Sequence, residues 1–342
     1  MEAVDVRGKF VWHQLMTRDV PGAKDFYGRL IGWKTLPWPL DPAYTVCHAD
    51  AGPVAGIMEI PSDMPSEVPS HWLQYIGTRD VDSTAQAAVR AGGSIVKSPS
   101  ELQGAGRYAV LKDPQGAVFA IIDPENAKPE ASGVPPLGVF SWHELATSDN
   151  EAAFAFYSGL FGWDAITRMD MGPVGVYLIF GEKGVQRGGM YIKPAENPGP
   201  PSWLPYAHVP NADEGYALAL SKGAKGTVPP MEVPGGSRIA NVIDPTGAPF
   251  AVHSMGASQP KAAPAAKPKA AVKVKAKAKA KAKPKKAAPV KKKTTARKQV
   301  AKQVAKARKG LKKLVKTAMK KYRAAKKKSA PRKKSKAVRR KK

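Results

Sequence analysis

The feature that most constrains this 342-residue chain is an internal repeat. GKFVWHQLMTRDVPGAKDFYGRLIGW at 8–33 lies in register with GVFSWHELATSDNEAAFAFYSGLFGW at 138–163 at a constant offset of 130. Trp12/Trp142, His13/His143, Asp19/Asp149, Phe26/Phe156, Tyr27/Tyr157 and Trp33/Trp163 coincide. Further on the offset becomes 131, with HWLQY at 71–75 against SWLPY at 202–206 and DPQGAVFA at 113–120 against DPTGAPFA at 244–251. A repeat of this length fixes the fold before any single residue does: whatever one copy forms, the other forms too. The copies fall at 1–125 and 138–256, and the Pro-rich stretch 126–137 reads as the linker.

Each copy opens with a strand (FVWHQLMT), followed by Asp19 or Asp149 as a helix N-cap and Gly32 or Gly162 as the stop. Strands follow at about 43–48 and 54–60. The half-copy then restarts with a strand at 71–78, a helix capped by Asp80 or Asp82 and stopped at Gly92, and two strands ending in VFAIID. Asp113-Pro114-Gln115-Gly116 has the residues of a type I turn. The expected order is βαβββ twice per copy, an α+β fold of four modules.

Composition divides the chain at Gly256. Residues 257–342 hold 37 of the 56 Lys and Arg and no acid, which leaves the first 256 residues at −8 within a total of +29. The Lys/Ala/Pro-rich tail has too little apolar surface to offset its ordering entropy and is expected to be disordered alone. Its charge points to a nucleic-acid backbone, DNA or RNA, bound without base readout, with an anionic membrane surface as the lesser alternative. The cations expected to make those contacts include Lys275, Lys291, Lys292, Lys293, Arg297, Lys312, Lys313, Lys326, Lys327, Arg339 and Arg340. Residues 296–328 carry a thin apolar stripe that predicts a basic amphipathic helix. A single cysteine, Cys47, excludes an intrachain disulfide and a Cys-based zinc site. No apolar run suggests a signal peptide or a membrane span, so a soluble, cytoplasmic protein is expected, nucleoid-associated or, in a eukaryote, nuclear.

Over residues 8–254, the strand, the capping Asp, the Phe-Tyr seven residues on, L-x-G-W and the late DPxG-x-x-F strand resemble the vicinal oxygen chelate superfamily. That superfamily includes glyoxalase I, extradiol dioxygenases and the bleomycin- and fosfomycin-resistance proteins. The resemblance implies paired βαβββ modules forming glyoxalase-like cups, and a divalent metal chelating two substrate oxygens. It places the ligands on the first and last strands, at positions filled here by Trp12, Leu73 and Ala120 and by Trp142, Leu204 and Ala251. None of these binds metal, so a divalent cofactor is disfavoured at the usual positions.

His13 and His143 stand one residue past the ligand position, and strand alternation turns them to the helix side, where Tyr27 or Tyr157 are candidate partners. The same alternation lines the first cup with Trp12, Gln14 and Tyr75, and the second with Trp142, Glu144, Tyr206, His208 and His253. Glu144, His208 and His253 are the candidate catalytic residues, as a displaced facial metal site or as an acid and base. Trp12, Gln14, Tyr75, Trp142 and Tyr206 are the candidate ligand-binding residues. Trp12, Trp72, Trp142 and Trp203 either stack on a planar ligand or fill cores. The expected function is small-molecule binding, with isomerisation, cleavage or oxygenation open, in the cup of the second copy. The alternative is a metal-free ligand-sequestering or structural protein whose role lies in the tail.

Overall fold

The computed structural model describes residues 4–128, 133–172, 175–195, 197 and 199–256; the tail and the readings that rest on it lie outside them. The first copy runs β1 (Phe10–Thr17), α1 (Val20–Ile31), β2 (Lys34–Trp38), β3 (Asp41–Ala49) and β4 (Gly52–Glu59). Then come β5 (His71–Gly77), α2 (Val81–Arg90), β6 (Ser94–Leu102), β7 (Gly106–Lys112) and β8 (Val118–Pro124). The second copy repeats it with β9 (Phe140–Thr147), α3 (Asn150–Phe161), β10 (Asp164–Asp170), β11 (Val176–Glu182) and β12 (Val185–Ile192). It closes with β13 (Ser202–His208), α4 (Ala212–Ser221), β14 (Lys225–Glu232), β15 (Arg238–Ile243) and β16 (Pro249–Ser254).

The helix starts follow from their caps. Asp19 accepts the Gly22 N–H, Asp80 that of Ser83 and Asp149 that of Ala152, while Gly32 and Gly162 end α1 and α3 in the left-handed region at φ 83° and 75°. β2 and β6 complete the βαβββ order as the two edges of their sheet. They contain Pro37 and Pro99 and are largely exposed, so neither shows the alternation that marks an inner strand.

Each copy is one eight-stranded sheet, β2-β3-β4-β1-β5-β8-β7-β6 in the first and β10-β11-β12-β9-β13-β16-β15-β14 in the second. Within each sheet the modules join through an antiparallel pair, β1 with β5 and β9 with β13. The helices cover one face of each sheet, and those covered faces pack against each other. Leu15, Phe26, Tyr27 and Trp72 of the first copy share a core with Val209, Val242 and Phe250 of the second. Ile76, Leu111 and Phe119 share another with Leu145, Phe156, Tyr157 and Trp203. Both of these large cores are therefore built from both copies.

Reciprocal polar ties cross the same interface. The Tyr27 phenol donates to Asp244 Oδ2 (2.7 Å) and the Tyr157 phenol to Asp113 Oδ2 (3.0 Å). Trp72 Nε1 and Trp203 Nε1 donate to those two phenols, and Trp33 and Trp163 donate to the Gly138 and Gly8 carbonyls of the opposite copy. Trp72 and Trp203 thus belong to the cores, not to the cups.

Where β12 pairs with β9, a Cβ on Gly188 would strike the His143 carbonyl oxygen and stand 2.7 Å from the Phe180 ring. Gly188→Ala is expected to cost about 1–3 kcal/mol, read as a shift in the urea midpoint at unchanged slope.

Candidate ligand-binding cups

β1 supplies the floor of the first cup. Trp12, Gln14 and Met16 alternate away from the helix side, and the register shift between Phe10 and Trp12 also brings Val11 to that face. Gln14, 7% exposed, is the hub. Its Oε1 accepts from the Tyr75 phenol (3.1 Å) and more distantly from Tyr44 (3.4 Å), its amide donates to Met58 Sδ (3.0 Å), and Trp12 Nε1 donates to Tyr44 (2.8 Å). A cavity of 880 Å³ opens over this floor, walled by Trp12, Trp38, Tyr44, Met58, Tyr75 and Tyr108.

The second cup repeats the network with one change of charge. Trp142 Nε1 donates to the Tyr177 phenol (3.1 Å), Tyr177 donates to Glu144 Oε2 (2.8 Å), and Tyr206 donates to Glu144 Oε1 (3.0 Å). Tyr191 occupies the place of Met58 and stacks on Tyr177 with ring centroids 6.2 Å apart. Burial raises the Glu144 carboxyl above its ordinary range, against the lowering effect of the two phenol donors. Burial and the carboxylate together raise Tyr177 and Tyr206 well above an ordinary phenol.

Tyr44, Tyr177, Met58 and Tyr191 are absent from the sequence expectations. The signal for the two tyrosines was present: they match at a third offset, 133, together with Gly56 and Gly189. A Cβ at either glycine would collide with the phenol lying across it, so the glycines seat those rings on the sheet.

Glu144, His208 and His253 do not form one constellation. Leu204 of β13 faces Glu144, and His208 lies four residues further along, roughly 13 Å of strand. His208 and His253 do stand side by side in register, with ring centroids 6.3 Å apart. Each Nδ1 is already engaged, that of His208 with the Pro135 carbonyl (2.6 Å) and that of His253 with Ser141 Oγ (2.8 Å). Burial and the neighbouring His208 lower the His253 imidazole to about 4.

His13 and His143 lie on the helix side as alternation requires, but their partner is neither Tyr27 nor Tyr157. They meet each other, Nε2 to Nε2 at 2.8 Å, each stacked on a phenylalanine of the opposite copy. Those rings are Phe140 on His13 and Phe10 on His143. His143 Nδ1 faces the Arg187 carbonyl at 3.1 Å. Burial holds both imidazoles well below their ordinary value, to about 3 for His143.

Among the described residues no three His, Cys, Asp or Glu side chains converge as a metal site. The first cup offers amide, phenol and indole groups already bonded to one another and the second adds a single carboxylate, Glu144, held by two phenols; neither set fits the superfamily's chelated metal.

Residues 9–121 match the family model for the Glyoxalase/Bleomycin resistance protein/Dioxygenase superfamily. CFP32 of Mycobacterium tuberculosis is 30% identical over 245 residues, covering 70% of this chain and 92% of its own. The anthracycline biosynthesis protein DnrV of Streptomyces peucetius is 31% identical over 287 residues, covering 76% and 98%. Among solved structures, the fold is shared with 2,2',3-trihydroxybiphenyl 1,2-dioxygenase of Sphingomonas wittichii strain RW1, with TM-score 0.54, 11% identity, and coverage of 74% of this chain and 91% of that one. It is also shared with the Mn(II)-bound glyoxalase of Novosphingobium aromaticivorans, with TM-score 0.52, 16% identity, and coverage of 72% and 82%. The doubled βαβββ modules, the reciprocal packing of the copies and these matches agree: the chain belongs to the glyoxalase/bleomycin resistance/dioxygenase superfamily.

Proposed function

We propose that this protein binds a planar, largely apolar small molecule in the cup of its first copy, held by stacking and oriented by the Gln14 hub rather than by a metal. The carrying observation is the 880 Å³ cavity, large enough for a polycyclic ligand, with aromatic walls and one buried amide at its base. The likeness to DnrV, an anthracycline biosynthesis protein, supports a ligand of that shape. The sequence favoured the second copy because its titratable residues are richer; the aromatic walls of the 880 Å³ cavity support the first copy as the seat of a planar, apolar ligand.

A hydroxylated anthraquinone titrated into the full chain should quench tryptophan fluorescence at a stoichiometry of one. Trp12→Ala and Tyr75→Ala should each weaken it about 10–100-fold, the worth of a lost aromatic contact. Zinc, nickel, manganese or Fe(II) should leave both stoichiometry and affinity unchanged. A metal-dependent gain, or binding indifferent to both substitutions, would refute the reading.

The tail carries the second part of the proposal. A body at −8 joined to 37 cations supports attachment to a nucleic-acid backbone through counterion release. Full-length protein should be retained on duplex DNA of any sequence, with log affinity falling linearly against log salt. A chain ending at Gly256 should lose that retention. No described helix is long and apolar enough to cross a membrane.

A further inference from the structure

The two cups share one hydrogen-bonding plan and differ at its centre, where Gln14 in one is Glu144 in the other. We propose that the second cup is a cation site, which takes a ligand carrying an ammonium group on an apolar body. That the cups bind small molecules at all rests on the reading above; the charge of the second ligand is the new claim.

Three observations carry it. Glu144 is ringed by Trp142, Tyr177, Tyr191 and Tyr206, and no ion pair reaches it among the described residues. Its two hydrogen-bond donors are neutral phenols, which support a carboxylate without cancelling its charge. The nearest basic side chain by register is Arg187, two residues along β12 from Gly189, which faces Glu144. Arg187 stands 4.0 Å from Glu182. A half-buried carboxylate beneath several aromatic faces is the chemistry that recognises ammonium groups, through ring quadrupoles above and a full charge below.

The phenol protons add direction. Tyr177 accepts from Trp142, and Tyr206 accepts from Asn241 Nδ2 (3.4 Å), so both phenols are set to donate to Glu144. With those protons committed to Glu144, neither phenol keeps an O–H free to donate to a ligand. The first cup commits its phenols in the same way, to Gln14 Oε1, and differs in that Gln14 is neutral and Met58 replaces Tyr191.

The test uses benzyltrimethylammonium and its neutral carbon isostere, neopentylbenzene, titrated into the full chain by calorimetry at moderate salt. The cation should bind at a stoichiometry of one and at least about tenfold more tightly than the isostere. Glu144→Gln should remove that preference, and Gln14→Glu should raise the stoichiometry for the cation from one to two. Glu144→Gln alone decides the matter if the Gln14 variant is poorly folded by circular dichroism. Equal affinity for cation and isostere, no cation binding at millimolar concentration, or cation binding unchanged in Glu144→Gln would overturn the proposal. Anthraquinone binding in the first cup should be indifferent to Glu144→Gln, so loss of that binding sinks the earlier reading and leaves this one standing.

Discussion

Asp244→Ala is expected to lower the stability of the folded body by about 3–5 kcal/mol, the cost of leaving several buried donors without the carboxylate they share. Asp244 Oδ1 accepts from the backbone N–H groups of Thr246 and Ala248 and from Thr246 Oγ1, all within 2.9 Å, and Oδ2 accepts from Tyr27. Alanine would leave those donors unpaired in a site only 3% exposed, at a turn that must close for α1 of the other copy to seat. Asp113→Ala removes the equivalent set, three N–H groups and Tyr157, and should cost a similar amount. Each tie joins one copy to the other, so the loss should appear as one lowered cooperative transition rather than as early melting of one copy. Calorimetry of both variants checks the size and the single transition.

Acid should destabilise the body well before its carboxylates titrate. His13, His143 and His253 all have depressed values in the folded state, about 3 for His143 and about 4 for His253. The unfolded chain therefore takes up protons first as the pH falls below about 6.5. Stability is full above that pH and falls by about 1.4 kcal/mol per unit for each imidazole kept neutral by folding. His253 alone should account for about 2 kcal/mol between about pH 6.5 and 4.5, with the His13–His143 pair adding to it. Glu144 and Asp113 act in the opposite sense, because burial raises both and the folded state then gains protons more readily, offsetting part of the loss at the lower end. Urea midpoints between about pH 7 and 4.5 should trace this slope. His253→Asn should flatten it by about one proton, and a flat profile in the parent protein would show that the imidazoles are charged in the fold.

Most of the scaffold was legible because it is written twice. The caps at Asp19, Asp80 and Asp149, the DPxG turns and the inner strands follow from local residue chemistry that one copy corroborates in the other. Strand parity correctly turned His13 and His143 to the helix side. Their actual partner could not be read, since the contact joins two copies whose relative placement no local pattern encodes. The same holds for Tyr27 and Tyr157, whose acceptors lie 217 and 44 residues away in the opposite copy. The edge strands β2 and β6 stayed hidden because a half-exposed strand containing proline carries no period-two signal. In the cups, attention to titratable groups found Glu144 but passed over Tyr44 and Tyr177, which shape the floor without an unusual residue type to announce them.

The histidine contact bears on how such a chain arises. Two separate molecules related by a true twofold axis would hold identical residues on both sides of it. Two identical imidazoles facing each other across 2.8 Å can then share only one proton, so perfect symmetry is broken at its own centre. Joining the halves into one polypeptide removes the requirement that they match. Each half becomes free to mutate alone while the other preserves the shared interior, and Gln14 in one cup where the other has Glu144 is what that freedom leaves behind: one architecture, kept twice, with two independently adjustable cups.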